Sequence, residues 1–279
     1  MRPESNGVAT HPRFLTDIGA SFASAATASA VISAQQLSWD VNQLTHESRV
    51  ESRRVTFRAG GRQVVCHLSK PVGAGRCPGI VIIAGNRADE RYLLSASRSL
   101  AAAGLASAAP SLASSMMFDQ CLERGAPPAG DISRRIDADD IDVVRASATC
   151  LRSFAPVPVE QLGLIGFCAG GRLALMCAAH DETVQAVVAF HPVSMTGDEL
   201  AAVKAAVQIH HGTDDRAVPY SSSVDVESHL RRHRTPVELL PYFGCQHGFA
   251  TEARPHFDAR AASLAWSRTR SFLNRRLQP

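Results

Sequence analysis

From about residue 50 onward the apolar positions of the chain alternate between two rhythms. Residues 53–57 and 62–68 switch between apolar and polar side chains around Ala59-Gly60-Gly61. A strand with one covered face repeats every second residue, so this pattern predicts a β-hairpin. Residues 79–84 are instead a continuous apolar run rich in β-branched side chains, as expected for a central parallel strand covered on both faces. Further strands are predicted at 105–109, ended by Pro110, and at 162–167, 184–190, 206–211 and 236–242. Helices are predicted between them at 89–103, 172–179 and 224–232. Another follows a cap at Asp137 and carries Ile141, Val144, Ala148 and Leu151 on one face. A closing helix over 255–277 would turn Phe257, Ala261, Leu264, Ala265 and Phe272 inward. This alternation predicts an α/β fold, a mostly parallel sheet with helices on both faces and functional loops at the carboxyl ends of the strands.

Composition adds limits. The chain has 279 residues, of which 45% are hydrophobic, enough to fill the core of one α/β domain over residues 46–279. The first 45 residues read as an N-terminal extension, partly helical or disordered. Within it the small-residue stretch 18–34 after Arg13-Phe14-Leu15 resembles a degenerate export signal, but it is rich in alanine and serine rather than leucine. It is too weakly apolar to span a membrane. The expectation is a retained cytoplasmic protein, with export to the periplasm as the alternative. A formal charge of +3 with scattered arginines argues against a nucleic-acid partner. Seven cysteines, an odd count without regular spacing, argue against a disulfide framework, and no CxxC pair or zinc pattern appears. Cys66, Cys150 and Cys177 lie among apolar neighbours and read as core residues.

The chemistry centres on Gly166-Phe167-Cys168-Ala169-Gly170-Gly171, where the strand at 162–167 meets an apolar helix. A cysteine flanked two residues away on each side by glycine suits a nucleophile elbow, a strained turn that lifts its central side chain clear of the sheet. A buried structural cysteine beside a glycine-rich turn is the alternative. A cysteine nucleophile needs a base to take its proton and an acid to orient that base. Thr213-Asp214-Asp215 leaves one strand end, and Gly244-Cys245-Gln246-His247-Gly248 leaves the last. The order nucleophile, acid, base is that of α/β-hydrolases. Spacing alone does not choose between Asp214 and Asp215. His180, His191, His210, His211, His233 and His256 read as surface or packing residues, and His247 as the base. A metal site from His210, His211, Asp214 and Asp215 is disfavoured because adjacent strand residues point to opposite faces.

These motifs resemble the dienelactone hydrolase family, the cysteine-based members of the α/β-hydrolase superfamily. The resemblance runs from about Val55 to Leu277. It rests on the G-x-C-x-G-G elbow at 166–171, the D-x-x-V-P segment at 215–219 and His247-Gly248-Phe249 before a long closing helix. It implies an α/β-hydrolase fold with Cys168 as nucleophile, Asp215 as acid and His247 as base. Backbone N–H groups of Ala169 and Asn86 would form the oxyanion hole, and no metal or cofactor would be needed. The implied reaction is hydrolysis of a small-molecule lactone or carboxylic ester through an acyl-thiol intermediate. Three positions depart from the family. Gly85 stands where a glutamate often helps control the cysteine, Ser111-Leu112-Ala113 stands where Asp-Leu-Tyr is common, and Thr251 replaces an arginine. Arg87 and Arg254 are candidates to receive a substrate carboxylate in its place. Met116, Met117 and Phe118 read as part of a loop over the site. An acyl transferase on the same fold, a catalytically weak ligand-binding protein and a redox-sensing thiol are the other readings. The oligomeric state is open, with a homodimer among the options.

Overall fold

The computed structural model describes residues 38–39, 49–84, 90–112, 138–195, 197–252 and 254–278. Its strands are β1 (Ser38–Trp39), β2 (Val50–Ala59), β3 (Arg62–Pro71), β4 (Gly79–Ile83), β5 (Ala106–Pro110), β6 (Leu162–Phe167), β7 (Val184–Phe190), β8 (Ala206–Gly212) and β9 (Val237–Tyr242). The helices are α1 (Glu90–Ala102), α2 (Ala138–Phe154), α3 (Ala169–His180), α4 (Gly197–Leu200), α5 (Tyr220–Arg232) and α6 (Ala259–Leu277).

The strands form a nine-stranded sheet in the order β1-β2-β3-β5-β4-β6-β7-β8-β9. Pairing is antiparallel from β1 through β5 and parallel from there to β9. The expected hairpin is β2–β3, paired from Val50↔Pro71 to Ala59↔Arg62. Every residue of β4, β6 and β8 is buried. Strand periodicity divides them between two cores. Val81, Ile83, Leu164, Val187 and Val207 pack with α2, α3 and α5 on one face, while Ile80, Ile82, Ile165 and Val188 pack with α1 and α6 on the other. Each fully buried Val, Leu or Ile stabilises the fold by about 1.5–3 kcal/mol, so these central strands form a rigid platform for the loops at their ends.

Several boundaries differ from the sequence expectation, each for a local reason. The α5 helix starts at Tyr220, immediately after Pro219. Its Tyr220-Ser221-Ser222-Ser223 turn has no apolar period, although Ser222 and Ser223 are buried. The α6 helix starts at Ala259 rather than 255, because the Asp258 carboxylate accepts the N–H groups of Arg260 and Ala261 and caps it there. Phe257 therefore lies outside the helix and is exposed, as is Leu264. The inward face consists of Ala262, Ala265, Thr269, Phe272, Leu273 and Leu277. The short α4 had no sequence signature. Within the expected N-terminal extension, β1 pairs with Val55 and Thr56 of β2, and the signal-like stretch 18–34 lies outside the described residues. So do the Asp137 cap and the Met116, Met117 and Phe118 loop. Among the described residues no helix is long and apolar enough to cross a membrane.

Candidate active site

The parallel strands β6, β7, β8 and β9 deliver four side chains to one end of the sheet. At the end of β6 the chain turns directly into α3, and Cys168 is the N-cap of that helix with φ 55° and ψ −119°. This is an unusual conformation for a non-glycine residue, and it is the sharp strand-to-helix turn that a nucleophile elbow requires. The Cys168 N–H donates to the Phe190 carbonyl on β7 at 2.9 Å, and its carbonyl accepts from Gly171 at 2.9 Å. The flanking glycines are needed on steric grounds. A Cβ at Gly166 would stand closer than 3.0 Å to the Gly170 backbone, and one at Gly170 would meet the Ile83 carbonyl at the end of β4.

The next two side chains come from loops stitched together after β8 and β9. Thr213 N–H donates to Tyr242 O at 3.0 Å and Asp214 N–H to Cys245 O at 3.0 Å, while Gly244 N–H donates to Thr213 Oγ1 at 3.0 Å. Asp214 is exposed and Asp215 buried, which distinguishes the two neighbouring acids. Asp215 Oδ1 accepts the N–H groups of Ala217 at 2.9 Å and Val218 at 2.8 Å. Its Oδ2 lies 2.8 Å from His247 Nδ1. A carboxylate only accepts, so Nδ1 carries the proton in this contact. Burial alone would raise the Asp215 carboxyl, but hydrogen bonds from His211 and His247 outweigh it and hold the group well below the usual carboxylate range.

The fourth side chain is His191, which the sequence had suggested was a surface or packing histidine. It follows the last residue of β7 with φ 37°, its N–H donates to His210 O at 2.7 Å, and only 3% of the residue is exposed. Its ring centroid is 4.1 Å from that of His247. Neither ring nitrogen has a hydrogen-bond partner among the described residues. Burial, and then the neighbouring His247, push its pKa well below the ordinary histidine value, so the ring is neutral. Cys168 Sγ, one ring nitrogen of His191 and one of His247 all lie within 4.8 Å of one another. Position could have flagged His191, since it sits at the carboxyl end of a central parallel strand where such folds carry their functional groups. The loop that holds it is tied to the elbow helix. Arg172 Nη1 donates to Ser194 O at 2.5 Å, and Arg172 also pairs with Glu199 of α4.

The remaining candidates separate clearly. His210 and His211 point to opposite faces, as strand geometry requires. His210 stacks on Phe190 and bonds Tyr242 and Gln208 within the core. His211 lies behind the acid: Nδ1 takes the Ser223 hydroxyl at 2.6 Å, and Nε2 faces Val218 O at 2.9 Å and Asp215 Oδ2 at 3.4 Å. Cys66, Cys150 and Cys177 are buried, and burial raises each thiol pKa, that of Cys150 to about 11. The stem of Arg254 lies over Gly248, next to His247. Ala169 opens α3, where first-turn N–H groups have no partner within the helix. Asn86 and Arg87 lie outside the described residues.

Comparison with known proteins agrees with this architecture. A Synechocystis protein named as a carboxymethylenebutenolidase is 22% identical over 249 residues, covering 82% of this chain and 98% of its own. A Bradyrhizobium protein named as a 2-oxo-3-(5-oxofuran-2-ylidene)propanoate lactonase is 26% identical, covering 78% of this chain and 92% of its own. Among solved structures, a Klebsiella pneumoniae protein described as a dienelactone hydrolase superposes with a TM-score of 0.68 at 20% identity, covering 80% of this chain and 98% of the other. A dienelactone hydrolase-like promiscuous phosphotriesterase from metagenomic libraries superposes with a TM-score of 0.69 at 21% identity, covering 81% and 98%. Residues 65–277 match the dienelactone hydrolase family, and the chain, an α/β-hydrolase by fold and a hydrolase by kinship, belongs to that family.

Proposed function

We propose that the protein hydrolyses a small lactone or carboxylic ester through an acyl-thiol intermediate on Cys168. The observation that carries this reading is the joint geometry of the elbow and its base. Cys168 sits at φ 55° at the head of α3, within 4.8 Å of a His247 ring nitrogen, and His247 is oriented by Asp215 at 2.8 Å.

In this mechanism His247 Nε2 takes the thiol proton and the Cys168 thiolate attacks the acyl carbon. The oxyanion is received by the Ala169 N–H and, as the family resemblance implies, by the N–H of Asn86. Collapse of the tetrahedral intermediate breaks the acyl carbon–oxygen bond, and His247 returns the proton to the departing alkoxide. For a lactone that alkoxide stays attached to the acyl group. Water then gives a proton to His247 and its oxygen attacks the thioester, releasing the acid and restoring the thiol. Asp215 stabilises the imidazolium formed in each half of the cycle and is held ionised by the bonds it accepts. Arg254, lying over Gly248, is the described candidate to receive a substrate carboxylate.

The test is steady-state hydrolysis of a panel of lactones and activated esters by the parent, Cys168→Ala and His247→Asn. Turnover by the parent and none above background by either folded variant is the expected result. Unchanged turnover in folded Cys168→Ala refutes the proposal.

A further inference from the structure

We propose that Cys168, His191 and His247 form a binding site for a thiophilic divalent cation, zinc foremost, and that its occupation switches the hydrolase off. Among the described residues these three are the one group of His, Cys, Asp and Glu side chains whose donor atoms converge, all within 4.8 Å of one another. Zinc held by a thiolate at about 2.3 Å and imidazoles at about 2.0–2.1 Å in a tetrahedron needs donors about 3.5 Å apart. Side-chain movements of about 1 Å close the difference.

The donor states suit a cation. His191 is 97% buried, being 3% exposed, and both its ring nitrogens lack partners among the described residues. A buried polar atom without a partner carries a desolvation cost of about 1–3 kcal/mol, which a metal–nitrogen bond would relieve. His247 gives its Nδ1 proton to Asp215, the carboxylate–histidine contact that commonly supports a metal-ligating imidazole. The His247 side chain is 17% exposed. One sulfur and two imidazole nitrogens favour zinc, cadmium or cobalt over magnesium or calcium. Binding replaces the thiol S–H bond by a metal–sulfur bond and releases the proton to solvent.

The binding claim stands on the three donors alone, whereas inhibition rests on the catalytic reading given above, since the cation would occupy both the attacking sulfur and the lone pair of the base. The two are separated by measuring binding without substrate and turnover without metal. The metal-free full-length protein is titrated with cadmium and cobalt, following the thiolate-to-metal charge-transfer absorption. A band saturating at one cation per chain is expected, absent in Cys168→Ser. Affinity should fall at least about tenfold in His191→Asn, a substitution that tolerates the positive φ and whose fold circular dichroism checks. As a readout needing no variant, zinc should protect Cys168 of the parent from iodoacetamide, located by peptide mass spectrometry. Zinc should also suppress ester turnover, and a chelator should restore it.

No band in the parent, a band that survives Cys168→Ser, or equal affinity in folded His191→Asn overturns the site. So does alkylation of Cys168 that zinc does not slow. A saturating band in a protein that forms no acyl adduct without metal supports the cation site and removes the hydrolytic reading; an adduct with no band does the reverse.

Discussion

Lowering the pH from 7 to 5 should destabilise the fold through two buried imidazoles behind and within the site. Burial, together with the Arg268 charge, lowers the pKa of His210 from 6.5 to about 3. His191 is likewise pushed well below 6.5, first by burial and then by His247. In the unfolded chain both rings regain ordinary values, so between these limits the unfolded state binds more protons than the native one. Stability then rises with pH and is lost as pH falls through 6.5. Integrating that proton uptake from pH 7 to pH 5 gives about 2 kcal/mol for His210, and His191 acts in the same direction. Asp215 works in another window. Its lowered pKa contributes stability that is present above 3.8 and lost below it, so it leaves the pH 5–7 range to the imidazoles. The assay is urea unfolding followed by circular dichroism at pH 5, 6 and 7, comparing the parent with His210→Gln. A glutamine amide can still donate and accept toward Tyr242 Oη and Thr269 Oγ1, which now bond the ring. The variant should lose about 2 kcal/mol less than the parent over this interval. Equal losses in the two proteins would refute the claim that His210 is held neutral by burial.

Three further outcomes are expected. Gly170→Ala drives a methyl group into the Ile83 carbonyl and should cost about 3 kcal/mol, read as a lowered thermal midpoint. Arg172→Met strands Glu199, whose side chain is 19% exposed, and should cost about 3 kcal/mol; adding Glu199→Gln should recover part of it in the same unfolding assay. Asp215→Asn removes the charge that orients His247 and should lower kcat by about 10²–10⁴-fold with the fold retained, measured by steady-state hydrolysis.

Some features of this molecule are written locally in the chain and others are not. The central strands were legible because residues 79–84 and 162–167 are unbroken apolar runs, and both are buried on two faces. The elbow was legible because two glycines spaced about Cys168 leave room for backbone alone. Helix starts were less so. At Tyr220 the first turn is polar, and at Ala259 a cap residue rather than the apolar pattern decides the start. Phe257 and Leu264 lie within a run that looks amphipathic, yet only one face of a helix meets the sheet. The choice of Asp215 over Asp214 depends on which side chain turns inward, and spacing does not encode this. The role of His191 depends on three strands converging, so nothing adjacent in sequence marks it apart from its place at the end of β7. His211 likewise supports Asp215 by a contact visible only in three dimensions.

The most direct test of a Cys168-centred hydrolysis is intact-protein mass spectrometry, under metal-free conditions, during turnover of small lactones and activated esters, with Cys168→Ala in parallel. A transient mass increase equal to the acyl group on the parent, absent from the variant and accompanied by released acid, is the predicted result. Acid released at the parental rate by folded Cys168→Ala, with no adduct on either protein, would contradict it.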